Sequence, residues 1–137
     1  RGADTEAKDS GGRTALHFAA LLGQVECTRQ LLERGADIEA KTICGRTALS
    51  LSVQGKVECA KELLERGADT EAKDSGGRTA LHFAALLGQV ECTRQLLERG
   101  ADIEAKTICG RTALSLSVQG KVECAKELLE RGADTEA

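Results

Sequence analysis

Apolar and polar positions fall into one pattern four times along the chain, and Thr14 to Asp37 (TALHFAALLGQVECTRQLLERGAD) shows it complete. Ala15 to Leu22 is a nearly unbroken apolar run, long enough for about two turns of helix. Thr14 stands in front of it as a hydroxyl cap. Gly23 ends it, because glycine readily takes the left-handed conformation that stops a helix. A second helix is predicted from about Val25 to Arg34, with Val25, Thr28, Leu31 and Leu32 at helical spacing. Gly35 closes it, and Arg34 falls in the last turn, where the helix dipole favours a cation. The stretch therefore predicts a helical hairpin with its own start, corner and stop.

The hairpin recurs. Gly-Ala-Asp begins at Gly2, Gly35, Gly67, Gly100 and Gly132, so successive starts are alternately 33 and 32 apart. Gly-Arg-Thr-Ala-Leu begins at Gly12, Gly45, Gly77 and Gly110. Long units (TALHFAALLGQVECTRQLLER) alternate with short ones (TALSLSVQGKVECAKELLER) that lack one residue near the end of the first helix. The two-unit period is perfect: residues 2–66 and 67–131 are identical, and 132–137 begin a third copy. The expected organisation is one array over 1–137, with units at about 9–41, 42–73, 74–106 and 107–137 and a partial connector at 1–8.

Thr14-Ala15-Leu16-His17-Phe18-Ala19-Ala20 and Gly35-Ala36-Asp37, with their copies from Thr79 and from Gly100, resemble the ankyrin repeat, a 33-residue unit containing T-P-L-H-x-A. Gly23 and Leu31-Leu32 also fall where that family places its glycine corner and paired leucines. The resemblance covers essentially the whole chain. It implies an all-α repeat solenoid of helix-turn-helix units joined by extended, β-hairpin-like fingers. It also implies that His17 and His82 make structural hydrogen bonds between neighbouring repeats. Four sets of positions depart from the family pattern. Ala15, Ala48, Ala80 and Ala113 replace the family's proline, Ser50 and Ser115 replace its histidine, and Ser52 and Ser117 stand where alanine is usual. Glu6, Glu39, Glu71, Glu104 and Glu136 occupy a frequent asparagine position, which puts in question one turn-stabilising hydrogen bond per repeat but not the fold.

In such a fold Ala19, Ala20, Ala84 and Ala85 let the first helices approach, while Leu31, Leu32, Leu96 and Leu97 fill the space between layers. A shorter, slimmer inner row of helices should curve the array into a concave face. The deletion in the short units should tighten the corners at Gly55 and Gly120.

Composition narrows the function. A net charge of −3 with 30 % charged residues implies no strongly basic face, so nucleic acid is not an expected partner. No apolar run approaches the roughly 18 residues that span a bilayer, and no signal-peptide pattern opens the chain, so no membrane is expected either. Methionine is absent even at position 1, which suggests a segment of something longer or a processed product.

Candidate chemistry is sparse. The six cysteines show no C-x-x-C spacing. Cys27, Cys59, Cys92 and Cys124 recur at one second-helix position, on layers about 10 Å apart, beyond the roughly 7 Å Cα limit of a disulfide. They read as small core residues. Cys44 and Cys109 sit at fingertips as free thiols, with cross-linking between chains or a redox- or metal-responsive role as the other readings. Such thiols fit a reducing, cytoplasmic compartment for a natural protein, or recombinant expression for a designed one. His17 and His82 lie two units apart, about 20 Å by the same layer spacing, and cannot share a metal. There is no phosphate loop, H-E-x-x-H or G-x-S-x-G, and no carboxylate pair stands apart. No enzyme and no cofactor are expected.

Binding through a surface remains. The resemblance places partner contacts on Asp9, Ser10, Arg13, Thr42, Ile43 and Arg46, with the copies Asp74, Ser75, Arg78, Thr107, Ile108 and Arg111. Tyr and Trp, the usual interface anchors, are absent, and Phe18 and Phe83 are the only aromatics. The perfect two-unit identity points to an idealised or engineered array, or a very recent duplication. Its end units match its internal ones and lack polar outer faces, so copies are expected to stack head-to-tail. The alternative is a natural cytosolic module that binds another protein through fingertips and concave helix face.

Overall fold

The computed structural model describes residues 5–118 and 120–135. Its helices are α1 (Ala15–Leu22), α2 (Val25–Glu33), α3 (Ala48–Ser52), α4 (Val57–Glu65), α5 (Ala80–Leu86), α6 (Val90–Glu98), α7 (Ala113–Ser117) and α8 (Val122–Glu130). Each odd-numbered helix packs on the even-numbered helix after it, and the pairs stack α1 on α3 on α5 on α7 and α2 on α4 on α6 on α8. No strand occurs among the described residues. The architecture is the all-α repeat solenoid that the resemblance implies.

Every second helix stops in the same way. Arg34 caps α2, the Gly35 amide donates to the Leu32 carbonyl, and the Ala36 amide reaches back to Leu31 at 3.0 Å. This is the glycine stop that satisfies otherwise orphaned carbonyls. First helices differ between long and short units. α1 has 8 residues and α5 has 7, but α3 and α7 have 5 each. The serine hydroxyls of Ser52 and Ser117 donate to the carbonyls of Leu49 and Leu114 at 2.8 Å, a back-bond that competes with the helix ladder where the residue is missing.

The core is a strip between layers rather than a central ball. Ala20, Ala84 and Ala85 on the first helices, and Leu63, Leu96 and Leu128 on the second, are fully buried. The small alanines allow close approach of the inner row, and the leucines fill the gap behind it.

Between pairs, the chain forms tight fingers closed by Asp9 N to Arg13 O (3.1 Å) and Thr42 N to Arg46 O (2.9 Å). Successive fingers lie against one another through Ile43 N to Gly11 O (2.9 Å), Ser75 N to Cys44 O (3.0 Å) and Ile108 N to Gly76 O (2.9 Å). Gly12 is required here. Its φ is +76°, and a Cβ on it would lie 2.8 Å from the Ile43 nitrogen.

The glutamates at the asparagine position make contacts of a different kind from a turn bond. The side chains of Glu6, Glu39 and Glu71 accept the amides of Asp37, Asp69 and Asp102 at 3.0, 2.8 and 2.8 Å, and Glu104 accepts that of Asp134 at 2.7 Å. The longer side chain reaches the next repeat, so a hydrogen bond between repeats exists at this position. Glu136 lies outside the described residues.

Candidate functional site: the fingers and the end faces of the array

Much of each finger is engaged in holding itself together. Asp9 accepts the amides of Gly11 and Arg13 and the Arg13 guanidinium, all at 2.9 Å. The Arg13 amide and side chain, in that order, hold the Asp9 carboxyl below its ordinary range. Asp74 repeats these contacts with Gly76 and Arg78. In the other fingers the Thr42 and Thr107 hydroxyls accept the amides of Arg46 and Arg111 at 3.2 and 3.1 Å. Ser10 and Ser75 are exposed, as are Ile43 and Ile108 at 77 % and 78 %. Asp74 alone of the twelve predicted positions is buried. Behind the fingers, Arg13, Phe18, Ile43, Arg46 and Leu51 line a cleft of about 380 Å³, and their counterparts in the second copy line one of about 300 Å³.

The arginines add contacts that sequence reasoning misses. Arg46 lies over the Phe83 ring at 4.4 Å, with its Nε 4.0 Å from Asp74 Oδ2. Arg78 lies over the same ring at 4.9 Å, and Arg13 over Phe18 at 4.9 Å. Phe83 therefore carries one guanidinium from its own finger and one from the preceding finger. All four fingers have arginine at this position, so nothing in the local sequence distinguishes Arg46.

Identical sequence in different positions shows what a neighbouring pair covers. Phe83 is 5 % exposed but Phe18 is 38 % exposed. Val53 is fully buried, whereas Val118 is 65 % exposed. Cys92 and Leu64 are buried, while Cys27 and Leu129 are exposed. Cys27 thus corrects the reading of all four second-helix cysteines as core. It lacks the α3–α4 layer that covers Cys92. The result is an open cleft of about 730 Å³ on α1 and α2, lined by Phe18, Leu22, Cys27 and Leu31. On the last pair, Leu114, Val118, Ala125 and Leu129 line another of about 300 Å³. Burial pushes up the thiols of Cys59, Cys92 and Cys124, so these three are poor nucleophiles.

The histidines fasten the first helix of a long unit to the connector at the end of that unit, and His82 also reaches the next finger. His17 Nδ1 accepts the Thr14 amide at 2.9 Å, and Nε2 lies 2.9 Å from the Ala40 carbonyl. His82 does the same with Thr79 and Ala105, and its Nε2 lies 3.2 Å from the Arg111 carbonyl. One nitrogen faces a donor and the other an acceptor, which selects the neutral ring with its proton on Nε2. Ser50 and Ser115 accept the equivalent amides, Thr47 at 3.1 Å and Thr112 at 3.0 Å, but bond back to their own turn. Burial, as the largest cause, lowers both histidine pKa values below 6.5. Protons therefore bind the unfolded chain more readily. Stability should be complete above pH 6.5 and decline as pH falls from there toward the lowered folded pKa values. Urea midpoints at pH 7.5 and about pH 5.5 should show the loss. The double variant His17→Ser, His82→Ser should abolish most of it; an unchanged pH dependence would contradict the assignment.

No group of three or more metal-ligating side chains occurs among the described residues. None of their helices is long and apolar enough to cross a membrane.

No curated protein matches this sequence. A family model described as ankyrin repeats matches in three copies, over residues 1–74, 35–107 and 69–137. Together these matches span the full length, and they agree with the stacked pairs, the glycine stops and the histidine ties. The chain belongs to the ankyrin repeat family.

Proposed function

We propose that this ankyrin-repeat interaction scaffold is a non-catalytic, idealised array whose open α1–α2 face receives the α7–α8 face of another copy, head-to-tail. The carrying observation is the internal contact of α3 and α4 with α5 and α6. Because the two-unit period is exact, that contact brings together the same two sequences that stand open at the two ends. A preceding repeat would fill the α1–α2 cleft within a longer chain, and a second molecule would fill it for the chain as it stands. The exact sequence period supports an engineered or freshly duplicated origin, and the unpaired cysteines suit a reducing compartment. A heterologous contact of this kind propagates unless its rotation closes.

Light scattering coupled to size exclusion, over a concentration series, tests the reading. Mass should climb with concentration, and Val118→Asp should hold it at 14.5 kDa, because it puts a charge into the docking face while leaving an exposed position folded. A constant mass of the unmodified chain at all concentrations would overturn the reading.

The exposed Ile43 and Ile108 favour a second reading, in which the fingers and first-helix face bind a different protein through the twelve positions predicted from the sequence. Ile43→Ser with Ile108→Ser should leave the unfolding free energy, from urea titration, within about 0.5 kcal/mol of the parent. The same change should abolish capture of such a partner; capture that persists would remove these residues from the contact.

A further inference from the structure

We infer that Arg111 is the residue that fixes polarity and register in this docking, by lying over the Phe18 ring and beside Asp9 of a second copy. The inference rests on the head-to-tail reading and names the contact that selects it.

The template is internal. At the junction of the second and third helix pairs, Arg46 covers Phe83 at 4.4 Å and approaches the Asp74 carboxylate at 4.0 Å. The Asp74 side chain is 2 % exposed, against 34 % for Asp9. Arg111, Phe18 and Asp9 occupy the same places in the two-unit period as Arg46, Phe83 and Asp74. Among the described residues, the Arg111 guanidinium has no ion pair or ring contact. Backbone pairing completes the match: Ser75 N donates to Cys44 O at 3.0 Å, and the corresponding contact would join Ser10 N of one copy to Cys109 O of the other.

The chemistry is specific to one polarity. Arg13 and Arg78, on the long-unit fingers, already bond the aspartate and cover the phenylalanine of their own units. Short units have Thr42 and Leu51 where long units have Asp9 and Phe18, so they offer no aspartate and no ring to receive an arginine. Only a short-unit finger laid against a long-unit face makes the clamp. Two α1–α2 faces brought together lack it.

Sedimentation equilibrium on the full chain, its Arg111→Ala and Phe18→Leu variants and the double variant tests the clamp. Each single change should weaken association roughly threefold to tenfold, as expected for a guanidinium stacked on a partly desolvated ring. Monomer unfolding midpoints should stay unchanged for Arg111→Ala. The double variant should be no weaker than the weaker single variant. Arg111 and Phe18 lie at opposite ends of the monomer, so such coupling can arise only between copies. Independent, multiplying losses, or no loss in Arg111→Ala, would overturn the clamp while leaving docking itself intact. A parent chain that remains monomeric would overturn both.

Discussion

Leu96→Ala should lower stability by about 3 kcal/mol, and Leu31→Ala, the same change in the same local sequence, by about 1 kcal/mol or less. Leu96 on α6 is fully buried between α4 and α8, so truncation removes apolar contact and leaves a cavity that neighbouring layers cannot collapse into. Leu31 on α2 is only partly buried and lines the open end cleft, where solvent replaces whatever the side chain leaves. Propensity, capping and helix length are matched between the two sites. The difference therefore isolates the contribution of a covering layer. Urea unfolding at protein concentrations too low for association would measure it. Equal losses at the two positions would mean that the open face is not open in solution.

Val53→Asp should be the more damaging of a second matched pair, eliminating cooperative folding of the middle of the array. Val53 is fully buried and belongs to the apolar core, so an ionised carboxylate there loses its hydration. The penalty of several kcal/mol is a large part of the stability of a small domain. Val118→Asp changes the same position in the other copy, but that valine is 65 % exposed, and the unfolding free energy should change by about 0.5 kcal/mol or less. Circular dichroism through a urea titration would separate the two. A Val53→Asp chain that unfolds at the parent midpoint would contradict this packing.

The outer row shows why the junctions are not equivalent. Between the first and second pairs, Glu62 accepts Arg66 at 2.7 Å and meets Arg29 at 3.4 Å; Arg29 also pairs with Glu26, and Arg66 with Glu33 at 3.3 Å. The same network joins α6 to α8 through Glu127. Among the described residues no salt bridge joins α4 to α6, because Lys61 and Glu62 stand where long units have Arg and Gln. The clamp at the fingers is found at this junction instead. Partly exposed ion pairs contribute little stability, so these networks bear more on register than on strength.

Local signals in the chain are enough for the helices and their order. Gly23 and Gly35 mark real helix ends, the alanine positions are the close contacts of the inner row, and of the two T-x-L-H histidines His82 bonds across to the next repeat, at the Arg111 carbonyl. The rest depends on position in the stack. Cys27 and Cys92 share every neighbour in sequence, yet one is exposed and the other buried, since a layer contributed from elsewhere in the chain covers only the second. The Glu6 contact escapes a local reading because its donor, the Asp37 amide, lies 31 residues on in the next repeat. The Arg46 contact with Phe83 is invisible in the sequence because every finger carries the same arginine. The fingertip positions proposed for partner binding divide in the structure between residues that brace their own finger and side chains left exposed at the tip.

Cys27 supplies the most direct measurement of the docking. In the isolated array it is exposed, whereas its counterpart Cys92, covered by α3 and α4, is 1 % exposed. The rate of alkylation at Cys27 should be followed by mass mapping against protein concentration, with the exposed fingertip thiols Cys44 and Cys109 as internal references. Head-to-tail docking requires Cys27 to become protected as concentration rises while Cys44 stays reactive, and Val118→Asp to restore full reactivity. A Cys27 rate that tracks Cys44 at every concentration would contradict docking at this face.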